Sequence, residues 1–276
     1  MNGGVDLHSH TTASDGSLSA GELVRLAVKH GVRVLAVTDH DSTEGLADAL
    51  DEAAKHPPLT IVAGIEINTD VEGGEIHILG YFLHYQEEWF QAFLREQREE
   101  RIQRVHRIAD RLAGLGMPID PQEVFALVRE GSAGRPHVAQ VMVSRGYVKS
   151  TREAFDKYLK TGGPANVPRK RLTPLDAVAV IRRVKGIPVL AHPGLAGKDD
   201  MIPGLVQGGL MGIECYYQEH STAQTGAYLE MCKEWGLVAT GGSDYHGPHL
   251  GRSNPPGTPS VPLAAYERLK SLAAAS

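Results

Sequence analysis

His8 and His10 stand two residues apart at the end of a short run, Val5-Asp6-Leu7, and Asp15 follows five residues later. On a strand, positions i and i+2 point to the same face, so the two imidazoles can reach one object together. The usual object is a metal ion, because neutral imidazole is its commonest side-chain ligand. The remaining ligands must then come from elsewhere in the chain. Candidates recur in or just after short apolar runs: Asp39 and His40 after VLAVT, Glu66 in TIVAGIEI, His77 in EIHILGYFL, His192 after IPVLA, Glu214 in MGIEC, and Asp244 and His246 after LVATGGS. A single buried histidine reads most simply as a satisfied core residue. So many at the same edge of successive runs read as one site. Imidazole mixed with carboxylate, without thiolate, suits manganese, iron or zinc. The candidates are too numerous for one ion, which implies two or three. Multinuclear centres commonly hydrolyse phosphate esters, because the cations lower the pKa of a bridging water and neutralise phosphoryl charge.

The elements that must position these residues alternate. VDL leads into a helix near residues 19–30, where Ser19 and Glu22 have the spacing of a capping box. VRVLAVTDH reads as a buried strand, TEGLADALDEAAKH as a helix, and LTIVAGIEI and EIHILGYFL as two further strands. In the second half, helices near residues 174–185, 201–208 and 223–235 precede strands in IPVLAHPG, MGIECYY and LVATGGSDYHG. This rhythm implies an α/β fold with a mainly parallel sheet, open or closed. In such folds the C-terminal strand ends form the active-site face.

Residues 86–167 break the rhythm. They read as a long charge-rich helix and then shorter helices near residues 120–130, 135–145 and 151–159, with no strand evident. The expected organisation is a helical insertion, 86–167, between two parts of the α/β unit, 1–85 and 168–276. The first inserted helix carries Arg95, Arg98, Arg101, Arg104 and Arg107 at spacings of three. Much of that stripe reads as a solvated face balanced by Glu96, Glu99 and Glu100.

Composition narrows the class. The chain has 276 residues, 42% of them apolar, enough for a packed core, and a net charge of -5. That charge argues against a general nucleic-acid binder, which shows a basic surplus. Cys215 and Cys232 lack metal-binding spacing and read as reduced core residues of a cytoplasmic protein. The opening MNGGVDLHSH lacks the charged and apolar regions of a signal peptide. No run approaches the roughly 20 apolar residues needed to cross a bilayer.

Four motifs carry a family resemblance: HSH at 8–10, TDHD at 38–41, AHPG at 191–194 and GGSDYHG at 241–247. Together they resemble those of the PHP (polymerase and histidinol phosphatase) family. The resemblance implies a distorted (β/α)7 barrel, amidohydrolase-like, with a trinuclear metal centre. Carried over by motif, His8, His10, Glu66 and Asp244 would hold the first ion. Glu66 would bridge to a second, completed by His77 and His192, and Asp15, His40 and His246 would hold the third. Many relatives have histidine where this chain has Asp15. A carboxylate there favours a harder ion, so manganese is expected foremost, with iron or zinc as alternatives.

Within the family, the insertion and the stretch from GRPH to PANVP are similar to the TrpH-like branch. That branch contains 3′,5′-nucleotide bisphosphate phosphatases and enzymes that trim short RNA from the 5′ end. Arg135 and His137 match a motif there that contacts substrate phosphate, and a guanidinium fork suits phosphate oxygens. Asn166 stands where that branch has an aromatic, which bears on base recognition. Glu214 is expected to tune the site or contact substrate, and His220 to line the pocket. Asp39 and Asp41 are expected to orient ligands. His137 or a metal-bound water would protonate the leaving alcohol. His30 and His56 lie near helix C-termini, where positive charge is favoured; His84, His106 and His249 match no motif.

The expected activity is hydrolysis of a phosphomonoester of a small nucleotide, foremost the 3′-phosphate of 3′,5′-bisphosphonucleotides. Trimming of short RNA in the 5′-3′ direction shares that chemistry. Histidinol-phosphate phosphatase is the enzymatic alternative, and a non-catalytic metal-binding module is the rival from another class. The expected partner is a small phosphate ester, with no membrane and no stable protein partner.

Overall fold

A computed structural model describes residues 4–72, 74–128, 133–168, 172–248 and 254–275. Seven strands form one sheet in sequence order: β1 (Gly4–Asp6), β2 (Val32–Val37), β3 (Thr60–Val71), β4 (Gly74–Tyr81), β5 (Ile187–Leu190), β6 (Gly212–Tyr216) and β7 (Val238–Gly241). Neighbours are parallel except where β4 pairs antiparallel with β3 and β5. The expectation of a mainly parallel sheet therefore holds with one reversed strand.

The sheet's two edges meet. Leu7 N–H donates to Gly241 O (3.1 Å), Asp244 N–H to His8 O (2.9 Å) and His10 N–H to Tyr245 O (3.0 Å), and Ser9 bridges Tyr245 in parallel. The buried carboxylate of Asp6 accepts N–H groups from His8, Ser243 and Gly257 at 2.8–3.2 Å, tying both sides of this seam. Tyr81 reaches from β4 to donate to Leu7 O at 2.8 Å.

Helices α1 (Ala20–Lys29), α2 (Leu46–Ala53), α3 (Glu88–Gly114), α4 (Pro121–Phe125), α5 (Arg135–Ser144), α6 (Thr151–Ala154), α7 (Pro174–Arg183), α8 (Pro193–Ala196), α9 (Ile202–Gln207), α10 (Thr222–Trp235) and α11 (Leu263–Ala273) follow in chain order. The predicted capping box opens α1: Ser19 and Glu22 exchange hydrogen bonds, and Ala20, Leu23, Val24 and Ala27 are buried. That spacing is one apolar helix face. Thr173 with Asp176 and Ser221 with Gln224 open α7 and α10 the same way. Helix α11 was not expected from the sequence. Its Ala265 and Leu269 pack with inward residues of the strands, including Val5, Val34, Val189 and Val238.

The insertion has a hydrophobic cluster of its own, drawn from residues 105–167. Phe90 and Leu94, in the first half of α3, belong instead to a barrel cluster with Ile78, Ile181 and Ile213. We propose the division 1–85, 86–167 and 168–276 as the domain organisation, with α3 rooted in the barrel. A π-helical turn, Phe155–Leu159, continues α6. The tip of the expected helix near 120–130, together with His249, lies outside the described residues. Among the described residues, no helix is long and apolar enough to cross a membrane.

Candidate active site

The segments at one end of the barrel bring the predicted residues together. Ser9, between the two histidines, turns the other way: its Oγ donates to Ala36 O (2.6 Å) and its N–H to Thr38 Oγ1 (3.1 Å). It thereby stitches β1 to β2 while His8 and His10 face the rim. A Cβ on Gly242 would lie 2.5 Å from His8 Cβ, so only glycine permits this approach of β7. His192 and Asp244 have φ values of 25° and 49°. Non-glycine residues rarely adopt such backbone, and it concentrates at functional sites. Asp39 accepts hydrogen bonds from Thr11 N–H (2.7 Å), Thr11 Oγ1 (2.7 Å) and Ser14 Oγ (2.6 Å), fixing the loop that presents Asp15. His77 arrives by another route. Because β4 runs backwards, a residue near its start lies at the rim, opposite Asn68 of β3.

The donor atoms converge tightly. His8 Nε2, His10 Nε2, Glu66 Oε2 and Asp244 Oδ1 stand 3.1–3.4 Å apart across five pairs. Four ligands placed tetrahedrally about 2.0–2.1 Å from an ion stand about 3.3 Å from one another. The spacing fits a cation. Glu66 Oε1 faces His77 Nδ1 (2.8 Å) and His192 Nε2 (3.1 Å), and Glu66 Oε2 also faces His40 Nδ1 (2.9 Å). Asp15 Oδ1 lies 3.2 Å from His246 Nε2, and Asp15 Oδ2 lies 3.7 Å from His40 Nε2. His10, Asp15, His40 and His246 form one group able to hold an ion, and His8, His192 and Asp244 another. Glu66 Oε2 and Asp15 Oδ1 are buried, yet neither accepts a hydrogen bond of acceptable geometry. A buried acceptor left so costs about 1–3 kcal/mol, and a bound cation removes that cost.

Electrostatics point the same way. Burial opposes a charge on His8, but Glu214, Asp244 and Glu66 outweigh it and hold its pKa well above the usual value. Burial likewise opposes a charge on His40, yet Glu66 and Asp15 raise it to about 9. His10 falls to about 3 through burial and the neighbouring His246. In the chain alone, protonated imidazoles supply positive charge to Glu66 and Asp15. Divalent cations would take over that role.

Beside the cluster lies a cavity of about 620 Å³, lined by Asp15, His40, His77 and His246 on one side and by Arg101, Arg104, Arg135 and Phe155 on the other. Barrel and insertion thus share one chamber.

The model of the PHP domain matches residues 6–167. The chain belongs to the PHP domain family. It is 36% identical to the 5′-3′ exoribonuclease Rnm of Escherichia coli strain K12, covering 88% of this chain and 85% of that protein. It is 34% identical to a phosphoribosyl 1,2-cyclic phosphate 1,2-diphosphodiesterase of Eggerthella lenta, covering 89% and 97%. A 3′,5′-nucleoside bisphosphate phosphatase of Chromobacterium violaceum is 31% identical, over 90% and 88%. Among solved structures, a candidate metal-dependent phosphoesterase of Bifidobacterium adolescentis superposes with a TM-score of 0.89 at 26% identity, over 99% and 97% of the two chains.

In this PHP chain several expected residues take other places. Glu214 is not among the cavity-lining residues: it is fully buried, 3.0 Å from His8 Nδ1, and accepts the His192 N–H at 2.8 Å. That fixes the His8 tautomer with Nε2 toward the cluster. His220 has both ring nitrogens occupied by backbone, Nδ1 donating to Cys215 O (3.1 Å) and Nε2 accepting from Gly194 N–H (3.2 Å). It braces the loop after β5 and is not among the cavity-lining residues. His137 is buried, its Nδ1 accepts the Gly134 N–H at 3.2 Å, and burial lowers its pKa. A ring held neutral is a poor acid for a leaving alcohol, though Nε2–H can still donate. Asp41 Oδ2 accepts two bonds from Arg101, at 2.6 and 2.8 Å, and its Oδ1 accepts the Asn68 N–H at 3.2 Å.

Arg101 and Arg104 correct the reading of the arginine stripe. Both are buried and line the cavity, whereas Arg95 and Arg107 are exposed. Arg101 also donates to Asn68 Oδ1 (2.7 Å), whose amide meets His77 Nε2 at 2.8 Å. Tyr217, unnoticed in the sequence, donates to Asp244 Oδ2 at 2.9 Å. Phe155 puts an aromatic ring on the cavity wall, and Asn166 is not among the cavity-lining residues. Its signal was only an aromatic in a helical run, indistinguishable from core. The thiols Cys215 and Cys232 are free and buried, 3.6 Å apart.

Proposed function

We propose that this PHP chain hydrolyses a phosphomonoester of a small nucleotide, foremost the 3′-phosphate of 3′,5′-bisphosphonucleotides. One observation carries the reading: a metal-ligand cluster and a row of guanidinium groups line the same cavity, with an aromatic ring at its wall. His8, His10, Asp15, His40, Glu66, His77, His192, Asp244 and His246 would hold two or three divalent ions, manganese foremost, with iron or zinc as alternatives. Such ions, when bound, supply an activated water and neutralise charge on the phosphoryl oxygens. Arg135 binds phosphate oxygens with its planar fork, and His137, buried and not itself among the cavity-lining residues, would add an Nε2–H donor beside it. Phe155, whose ring lies 5.6 Å from the Arg135 guanidinium carbon, offers a stacking face for the base.

The names of the Escherichia coli and Chromobacterium violaceum relatives support this substrate class. Short RNA trimmed from its 5′ end is the second reading, supported by the first of them. Phosphate release from 3′,5′-bisphosphoadenosine by manganese-loaded protein, with histidinol phosphate run alongside, tests the reading. Turnover of the nucleotide to its 5′-monophosphate is expected. Activity on histidinol phosphate alone would overturn the substrate and keep the metal centre.

A further inference from the structure

The cavity wall contains one carboxylate in an unexpected place. Glu75, from β4, lies between two arginines of the insertion: its Oε1 is 3.5 Å from Arg104 Nη2, and its Oε2 accepts a hydrogen bond from Arg135 Nη2. We propose that Glu75 is a built-in competitor for a second anion subsite formed by Arg104 and Arg135, which takes the substrate phosphate that is not hydrolysed. This rests on the reading that the substrate is a nucleotide with two phosphates.

Three observations carry the assignment. First, each arginine has an anchor besides Glu75. Arg104 Nε donates to Val167 O at 2.7 Å, and Arg135 Nη1 donates to Leu159 O at 3.2 Å. Each guanidinium is anchored by the insertion's own backbone, leaving its Nη2 edge on Glu75. Second, the subsite adjoins the metal-ligand cluster, because Glu75 Oε2 lies 4.0 Å from His77 Nε2. All three side chains line the cavity that Asp15, His40 and His246 also line. Third, the chemistry matches: a carboxylate and a phosphate compete for the same planar donors, and both are recognised by a pair of parallel N–H groups. Glu75 pairs with both guanidinium groups. A phosphate dianion entering the fork exchanges one carboxylate for a group of greater charge. A substrate lacking that phosphate leaves the Glu75 pairing intact and gains nothing from it. Glu75 thus sets how strongly the second phosphate is preferred.

The second phosphate could belong to a mononucleotide or to the 5′ end of a short RNA; the recognition chemistry is shared. The test compares KM and kcat of the wild type, Glu75→Gln and Arg135→Ala on two substrate pairs. These are 3′,5′-bisphosphoadenosine against adenosine 3′-monophosphate, and a 5′-phosphorylated against a 5′-hydroxyl diribonucleotide. The wild type is expected to prefer the member with the additional phosphate, through KM. Glu75→Gln should lower KM for that member by several-fold and widen the preference. Arg135→Ala should raise it by about tenfold, the scale of one lost charge-assisted contact. The pair that responds identifies the source of the phosphate.

If Glu75→Gln instead raises KM as Arg135→Ala does, Glu75 is a support rather than a competitor, and the proposal falls. Equal KM for both members of each pair in the wild type would refute the subsite and leave the phosphatase reading standing. Failure to hydrolyse any nucleotide would sink that reading. Calorimetric binding of adenosine 5′-monophosphate would then still decide the subsite, by tightening or not in Glu75→Gln. Melting temperatures confirm that each variant is folded.

Discussion

Glu214 never reaches the cavity, yet its charge acts there through His8. Replacing it with glutamine keeps the shape and removes the charge that holds the imidazole, so metal affinity is expected to fall by about 10–100-fold. Equilibrium titration of bound metal would measure this; unchanged affinity would mean that His8 needs no such partner. The raised pKa values of His8 and His40, about 9 for His40 alone, have a second consequence. At pH 7 both rings carry protons in the metal-free chain, and ligation must remove them. Metal uptake at pH 7 is therefore expected to release at least about one proton per chain. Calorimetry in buffers of different ionisation enthalpy reads that number, and zero would contradict the charge state. The sign for folding follows from the same shift. In the metal-free chain, the contribution of His40 is fully present below its unfolded pKa near 6.5 and is lost as pH rises through about 9. At this scale the candidate ligands were legible, because few residue types can hold a metal. The supports were not: Glu214, Tyr217 and Asp6 look like ordinary strand and loop residues until distances are known.

Among the elements, the capping boxes and apolar runs were readable because each depends on local spacing. The direction of β4 was not, since alternation of apolar residues carries no direction. A signal existed: Gly73-Gly74 between two strand-like runs is a hairpin mark. That reversal is why His77 serves the rim from the start of its strand. The α3 arginines show the opposite limit. Their period was plain, but which two turn inward depends on how the insertion seats on the barrel. Arg101→Ala would remove a buried guanidinium from Asp41, and the expected loss of stability is about 3–5 kcal/mol. Chemical denaturation would measure it, and a loss below about 1 kcal/mol would return Arg101 to the class of surface pairs.

For the whole molecule, folding and metal binding are one equilibrium. The cluster places six imidazoles and three carboxylates in one buried space. An ion that binds only the folded chain at about 100 times its Kd adds about 2.7 kcal/mol. For a chain of this size, chelation should therefore lower the melting temperature by about 5–10 °C. Activity should vanish with it and return on adding manganese. A melting curve indifferent to chelator would mean that the cluster holds no ion.

The seam between β1 and β7 has a consequence for how this protein comes into being. His8 and His10 leave the ribosome more than 200 residues before Asp244 and His246. Until both are available, the two edges of the sheet have nothing to join. A nascent or prematurely terminated chain can fold helices and pair its early strands, but it cannot assemble the catalytic cluster. An assembled ligand cluster is thereby withheld from every chain that stops short of His246, and the closing of the seam marks that translation has passed that residue.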